Sequence, residues 1–279
     1  MKYKFMVFDI DGTLVSGDMK TVLGPKTKEM FDVLHSKGVK LGLASGRYID
    51  DLQQYQTKWN LDYPFDCLIG CNGAMMRDEE TDTNHYYFQL SLDEIKEIQT
   101  YMDKYDVLAH IYYPDFTIYN KEDQMVDEAR QHHTETKIIV AKTPEEMAIK
   151  PCEKIMYFTS YDPVESKEIE DYAHSVCEGK TYSCVRTRPN MIEFGKREAV
   201  KSYCMKKFCE YHDIKLEETA AFGDTSNDND MLEMAGCAVC LINGTDDTKA
   251  LADFITEKDC VSDGVGYFIE DYFVKNDLI

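Results

Sequence analysis

The sequence has no hydrophobic run near the roughly 20 residues that a bilayer-spanning helix needs, although 43% of its 279 residues are hydrophobic. Met1 to Ile10 lacks a basic region, a long apolar segment and a small-residue cleavage site in series, so no secretory leader is read there. Positive charge is scarce. Lys and Arg total 31 against 52 Asp and Glu, a net charge of −21. Such a surface repels nucleic-acid phosphates and anionic lipid headgroups, which argues against a general nucleic-acid- or membrane-binding role. No C-x-x-C pair occurs among the ten cysteines, and Cys67 and Cys71 come nearest. Reduced, buried thiols in a cytoplasmic protein are the expectation. There is no repeat of fixed period and no low-complexity segment. What remains is ordinary globular composition, with material for one large domain or two modest ones.

Short apolar runs alternate with helical patterns at both ends of the chain. Tyr3 to Asp9, Val39 to Ala44 and Phe65 to Ile69 read as buried strands, separated by helices over Thr27 to Lys37 and Arg47 to Asn60. Lys196 to His212 reads as a long helix and Thr219 to Phe222 as a strand. A helix over Asp228 to Ala235, a strand over Cys237 to Ile242, and helices over Thr245 to Phe254 and Gly266 to Val274 complete the pattern. This order implies a parallel sheet with right-handed crossovers.

The middle differs. Arg77 to Asn84 is polar and turn-like, and Ser91 to Glu94 is a capping box that opens a helix. Strands over Val107 to Tyr113, Phe116 to Tyr119, Ile138 to Val140, Lys154 to Thr159 and Tyr182 to Thr187 accompany helices over Asp123 to His133 and Pro163 to Cys177. The whole reads as an α/β core, residues 1–84 and 189–279, interrupted by an α+β insert, residues 85–188.

Four clusters carry chemistry. Asp9 and Asp11 close the first strand in Asp9-Ile10-Asp11-Gly12-Thr13. A strand's period of two starts them facing the same way, and two adjacent carboxylates need a cation or a shared proton. A simple Asp-Gly turn is the other reading. A calcium loop fails, because the sixth and twelfth positions from Asp9 are Leu14 and Lys20. Ser45, Gly46 and Arg47 follow the second strand, where a hydroxyl and free N–H groups at a helix start suit an anion; a plain N-cap serine would look the same. Asn72-Gly73 follows the third strand and also reads as a turn. Gly223-Asp224-Thr225-Ser226-Asn227-Asp228 ends a later strand and opens a helix, as an acidic N-cap cluster would; a calcium loop fails here too, because no glycine stands sixth from Asp224.

Phe8 to Leu14 resembles the first motif of the haloacid dehalogenase (HAD) superfamily, and the other clusters resemble its later motifs in the correct order. The long stretch between Asn72 and Lys196 sits where that superfamily carries a C2-type cap, and its pattern resembles subfamily IIB, the Cof-like phosphatases. Asp263-Gly264-Val265-Gly266 resembles that group too. The resemblance implies a Rossmann-like parallel-sheet core with an inserted α+β cap of the C2B type. It also implies a Mg²⁺-dependent phosphatase of small soluble phosphomonoesters, such as sugar phosphates, pyridoxal phosphate or flavin mononucleotide. In that scheme Asp9 is the nucleophile and Asp11 the acid and base. Ser45, Gly46, Lys196 and Asn227 bind phosphate. Asp9, Asp224, Asp228 and Asp11, the last through its backbone carbonyl, hold the metal.

Lys196 departs from the family pattern because Arg197, not glycine, follows it; Lys201 is the alternative. Candidate specificity residues are Arg47, Asn72, His110, Tyr112, Arg186 and Arg188, with Tyr113 and Asn190 also considered. Arg186 and Arg188, two apart on a strand, would share a face and suit a second anionic group. A phosphomutase of the phosphomannomutase type and a non-catalytic phosphate sensor are the alternatives. A monomer acting on a small-molecule ester, with no nucleic-acid or membrane partner, is the default.

Overall fold

All four residues of β1 (Phe5–Phe8) are apolar and fully buried. A strand with no polar face has to be covered on both sides, as at the centre of a parallel sheet. In the computed structural model, which describes residues 1–17, 22–132 and 137–279, β1 takes that place. β2 (Lys40–Ala44) lies parallel beside it and β3 (Cys67–Gly70) parallel beside β2. β4 (Met75–Asp78) and β5 (Thr83–Tyr86) extend that side as an antiparallel hairpin. The polar run Arg77 to Asn84, expected as a turn alone, therefore supplies parts of two strands. β5 is an edge strand with mostly exposed residues, so apolar residues were not required there.

The chain then forms a second unit, residues 88–198, before rejoining the first, which comprises residues 1–87 and 199–279. The second unit's strands are β6 (Leu108–Tyr113), β7 (Phe116–Tyr119), β8 (Lys137–Val140), β9 (Lys154–Phe158), β10 (Tyr182–Arg188) and β11 (Met191–Lys196). They form one sheet in the order β10-β11-β9-β6-β7-β8. Alternate residues supply its core. Ala109, Ile111, Ile155, Tyr157, Ile192 and Phe194 pack with Ile95, Ile98 and Met102 of helix Leu92–Met102 and with Ile169 and Ala173 of helix Pro163–Val176. The expected capping box is present at Ser91 and Glu94. The polar helix runs Gln124–His132, and His133 lies outside the described residues.

One boundary moves. Met191–Lys196 is a strand, not a loop leading into a helix at Lys196. Its inward Ile192 and Phe194 alternate with Glu193, and it pairs with both β9 and β10, so the return to the first unit falls at Ala199 rather than at 189.

After the return come β12 (Thr219–Gly223), β13 (Ala238–Cys240) and β14 (Phe254–Ile255). The full order of the first sheet is β14-β13-β12-β1-β2-β3-β4-β5. The chain grows outward in opposite directions from β1 and from β12. Open α/β sheets place ligand sites at such a switch point, outside the carboxyl ends of the strands. Among the described residues no two of the ten cysteines form a disulfide, and nine of them are buried. Among the described residues no helix is long and apolar enough to cross a membrane.

Asp263 explains the motif near the C-terminus. Helix Pro25–Ser36 begins after Gly24, which has no side chain to cap it. Asp263 supplies the cap from elsewhere in the chain: its carboxylate accepts the Thr27 N–H at 3.1 Å, the Thr27 hydroxyl at 2.8 Å and the Lys26 N–H at 3.2 Å. Gly266 lets the segments touch, since a Cβ there would lie 2.4 Å from the Thr27 nitrogen. The expected last helix is α-helical over Gly264–Phe268 and continues as a π-helix over Ile269–Val274. Asp263→Ala should cost about 1–2 kcal/mol of stability, read as a lowered urea midpoint, and Asp263→Asn should recover part of it because an amide oxygen still accepts.

His110 in β6 is set against Tyr119 and Phe158, with ring centroids 5.4 Å away in each case, and its buried Nδ1 has no hydrogen-bond partner among the described residues. Burial, helped by the Lys154 ammonium, lowers its pKa to about 4. The neutral ring is favoured only in the folded state, so this stability is complete above pH 6.5 and is lost as the pH falls toward 4. The effect is on the order of 2 kcal/mol. His110→Phe should flatten the acid limb of the stability–pH curve by that amount.

Candidate active site

Asp9 and Asp224 are the residues that follow β1 and β12. These strands pair in parallel with Phe8 opposite Phe222, and the Asp9 N–H donates to the Phe222 carbonyl at 3.0 Å, so the two carboxylates emerge side by side. Asp228 returns through the 3₁₀ turn Ser226–Asp228, where its carboxylate accepts the Asp224 N–H at 3.0 Å and the Thr225 N–H at 3.2 Å. Asp9, Asp224 and Asp228 are all buried and offer oxygens within 4.8 Å of one another. Gly12 makes room for them: it has φ +97°, and a Cβ there would fall 2.2 Å from Asp224 Oδ2. The Thr13 hydroxyl donates to Asp224 Oδ1 at 3.0 Å.

The cation of this cluster is Lys201, not Lys196. Lys201 is 0% exposed, and its Nζ donates to Asp9 Oδ1 and to Asp228 Oδ1, each at 2.6 Å. Lys196, at the end of β11, donates instead to Glu94 Oε1 at 2.6 Å within the second unit. Because β11 runs through Lys196, the helix starts only at Lys201 and spans Lys201–Tyr211. Lys201, Cys204, Met205, Phe208 and Cys209 are its buried stripe, so a lysine stands where the periodicity calls for an apolar residue. The helix N-terminus is an unfavourable place for a cation. Three carboxylates offset it, since Asp230 accepts the Ser202 N–H at 2.7 Å beside the pair from Asp9 and Asp228. Gly73 fixes the approach: at φ +97°, a Cβ would fall 2.0 Å from the Val200 carbonyl oxygen. Asp230 was not singled out from sequence, and Gly12, Thr13 and Gly73 stood there only as parts of motifs, with no role of their own.

Charge dominates the site. Burial pushes the Asp9 carboxyl well above the usual carboxylate range, and the Asp228 and Asp224 charges add to it against the opposing pull of Lys201. Burial likewise, with Asp228 next, raises Asp224 to about 6. Burial opposes the Lys201 ammonium, but Asp228 and Asp9 outweigh it and hold its pKa above the ordinary lysine value. Three acids around one ammonium leave an excess of negative charge. Such a set of hard oxygen donors fits a divalent cation.

Asp11 parts company with Asp9. β1 ends at Phe8, so strand periodicity no longer sets the direction of Asp11, which is part-exposed and paired with Arg47. Ser45, directly after β2, is buried; its carbonyl accepts the Asn72 N–H at 3.0 Å and its hydroxyl accepts the Arg47 N–H at 3.3 Å. It is not an N-cap, because the next helix begins at Ile49 with Tyr48 as its cap residue. Cys71, Asn72 and Gly73 have φ values of 50°, 52° and 97°, three left-handed residues in succession. They set Asn72 Oδ1 to accept from Asn227 Nδ2 at 3.4 Å, and a Cβ on Gly46 would lie 3.3 Å from Asn72 Nδ2.

The remaining candidates belong to the second unit. Arg186 is fully engaged there: it donates to Glu170 Oε2 at 3.0 and 2.8 Å, to the Ser166 hydroxyl at 3.0 Å and carbonyl at 3.1 Å, and to the Pro189 carbonyl at 2.7 Å. The pairing of β10 shifts register between Arg186 and Arg188, so the shared face expected of residues two apart is lost. Arg188 is exposed and Tyr112 half-buried. The Tyr113 hydroxyl donates to the Lys150 carbonyl at 2.6 Å, and the Asn190 carbonyl accepts the Thr159 N–H at 2.7 Å.

Comparison with known proteins agrees with this geometry. A model of the haloacid dehalogenase-like hydrolases matches residues 6–269. The Bacillus subtilis protein YxeH is 29% identical over 271 residues, with 91% of this chain and 93% of that protein covered. A second B. subtilis relative, the 5-amino-6-(5-phospho-D-ribitylamino)uracil phosphatase YitU, is 26% identical, covering 96% of this chain and 97% of its own. The solved HAD subclass IIB sugar phosphatase BT4131 superposes with a TM-score of 0.76 at 26% identity, over 99% of this chain and 100% of that one. With buried carboxylates closing parallel strands at the switch point and a match along nearly its whole length, the chain belongs to the haloacid dehalogenase-like hydrolases, in a branch whose named members are phosphatases.

Proposed function

We propose that this chain is a Mg²⁺-dependent phosphatase that hydrolyses small soluble phosphomonoesters through an aspartyl-phosphate on Asp9. One observation carries the reading: Asp9, Asp224 and Asp228 converge at the carboxyl ends of parallel strands, with the buried ammonium of Lys201 bonded to Asp9 and Asp228. Relatives named for a ribitylamino-uracil phosphate and for sugar phosphates support esters of polyols and sugars as the substrate class.

Asp9 attacks the phosphorus as a carboxylate, and the bond from phosphorus to the alcohol oxygen breaks. Asp11 gives its proton to the departing alkoxide. It then takes a proton from the water that attacks the phosphorus of the acyl phosphate, which releases inorganic phosphate and restores Asp9. Lys201 opposes the upward push that burial gives the Asp9 carboxyl and balances charge on the phosphoryl oxygens. Ser45, Gly46 and Asn227 offer the hydroxyl, amide N–H and side-chain amide that hold the phosphoryl group. Asp9, Asp224 and Asp228, with the Asp11 backbone carbonyl, would hold Mg²⁺, which when bound neutralises charge on the transferring group.

Phosphate release from a panel of phosphomonoesters should require Mg²⁺, stop with EDTA and be lost in Asp9→Asn. Lys201→Met should lower kcat/KM at least about 100-fold while Lys196→Met stays near wild type. Release from Asp9→Asn equal to wild type would end the reading. Mg²⁺ should also raise the melting temperature, since a ligand of the folded state stabilises it by mass action. That rise should vanish in Asp224→Asn.

A further inference from the structure

Two carboxylates stand two residues apart and are held in opposite ways. Asp9 is buried against Lys201. Asp11 lies in the loop after β1 with 39% of its side chain exposed. Among the described residues, every hydrogen bond to the Asp11 carboxylate comes from Arg47: Nε to Oδ2 at 3.0 Å, Nη2 to Oδ1 at 2.9 Å and Nη2 to Oδ2 at 2.9 Å. A guanidinium that spans both oxygens fixes the plane of the carboxylate as well as its position. We propose that Arg47 is the positioning residue that aims Asp11 at the leaving-group oxygen, an inference that rests on the phosphatase reading above.

Arg47 is itself anchored. Its N–H donates to the Ser45 hydroxyl at 3.3 Å, and its carbonyl accepts the Cys71 N–H at 2.8 Å. It thus stands between the end of β2 and the strained Cys71-Asn72-Gly73 turn, two fixed pieces of the first unit. A part-exposed ion pair adds little to stability. Orientation is what this pair supplies: a rigid residue holds a loop residue whose proton has to reach one particular atom.

The test is leaving-group dependence. In a double displacement, kcat/KM reports the steps through departure of the alcohol. p-Nitrophenolate departs without a proton, phenolate needs one more, and an alkoxide needs one most. We expect Arg47→Ala to lower kcat/KM about 100-fold for an alkyl phosphate, within the usual worth of a general acid, and less than about fivefold for p-nitrophenyl phosphate. Asp11→Ala should show the same slope. Arg47→Lys, which keeps the charge and loses the fork, should fall near the alanine variant for the alkyl ester. The Mg²⁺-induced rise in melting temperature should persist in all three, which establishes that each is folded. Equal losses for Arg47→Ala across the series, or none, would overturn the positioning role if Asp11→Ala keeps its slope. A flat series for Asp11→Ala would overturn the assignment of Asp11 as the acid, and the inference with it.

Discussion

The ammonium of Lys201, completely buried and 2.6 Å from two carboxylates, is the interaction on which the rest of the first unit turns. An uncompensated charge inside a protein is far too costly to keep, and removing one partner of such a cluster leaves the others stranded. The fold meets this constraint by bringing Asp9, Asp228 and Lys201 from three separate parts of the chain to one point. Parallel pairing of β1 with β12 sets the first acid beside the second. The 3₁₀ turn after β12 brings the third acid back to the second. The helix from Lys201 then has only one possible height, because Gly73 lets its first residues rest on the turn after β3.

The same cluster is unbalanced by design. One ammonium does not neutralise three acids, and Asp9 and Asp224 both show this in pKa values pushed upward by burial and by each other's neighbours. Well-packed apolar residues would make a more stable core than these charges. The glycines around the site fit that view. Gly12 and Gly73 both take φ values that other residues resist, at points where even a methyl group would collide with an acid or a main-chain oxygen. Local backbone strain of this kind is retained where the surrounding structure requires it, and it concentrates at functional sites.

Much of this was legible from the chain. Short apolar runs ending in Asp or Ser located the parallel strands and the acids that close them. They do so because a strand buried on both faces leaves little doubt about its period or its ends. Three things were not legible, each for a physical reason. The hairpin of β4 and β5 is hidden because an edge strand needs no apolar face. The register shift in β10 breaks the rule that residues two apart share a face, which removes Arg186 and Arg188 as a matched pair. Lys196 resembles the family's third-motif lysine, at the supposed start of a helix, and on that resemblance is the expected site cation. β11 takes up that residue, and the helical stripe of Cys204, Met205, Phe208 and Cys209 points to Lys201 when it is extended back by one turn.

Asp9 and Asp11, neighbouring and chemically identical, are held in contrasting environments that suit the different tasks proposed for them. Burial makes Asp9 a poor anion, and the Lys201 ammonium opposes that, so its carboxylate is buried and fixed, as the proposed nucleophile would need. Asp11 keeps contact with solvent and is gripped across both oxygens by an arginine whose backbone is anchored at N–H and carbonyl. A nucleophile benefits from the first environment, because its attack geometry must not vary. A group that gives up a proton and later takes one from water benefits from the second, because it has to reach solvent between the two events without losing its aim. The end of β1 at Phe8 makes the difference available: a strand continued through Asp11 would have kept both carboxylates on the same face.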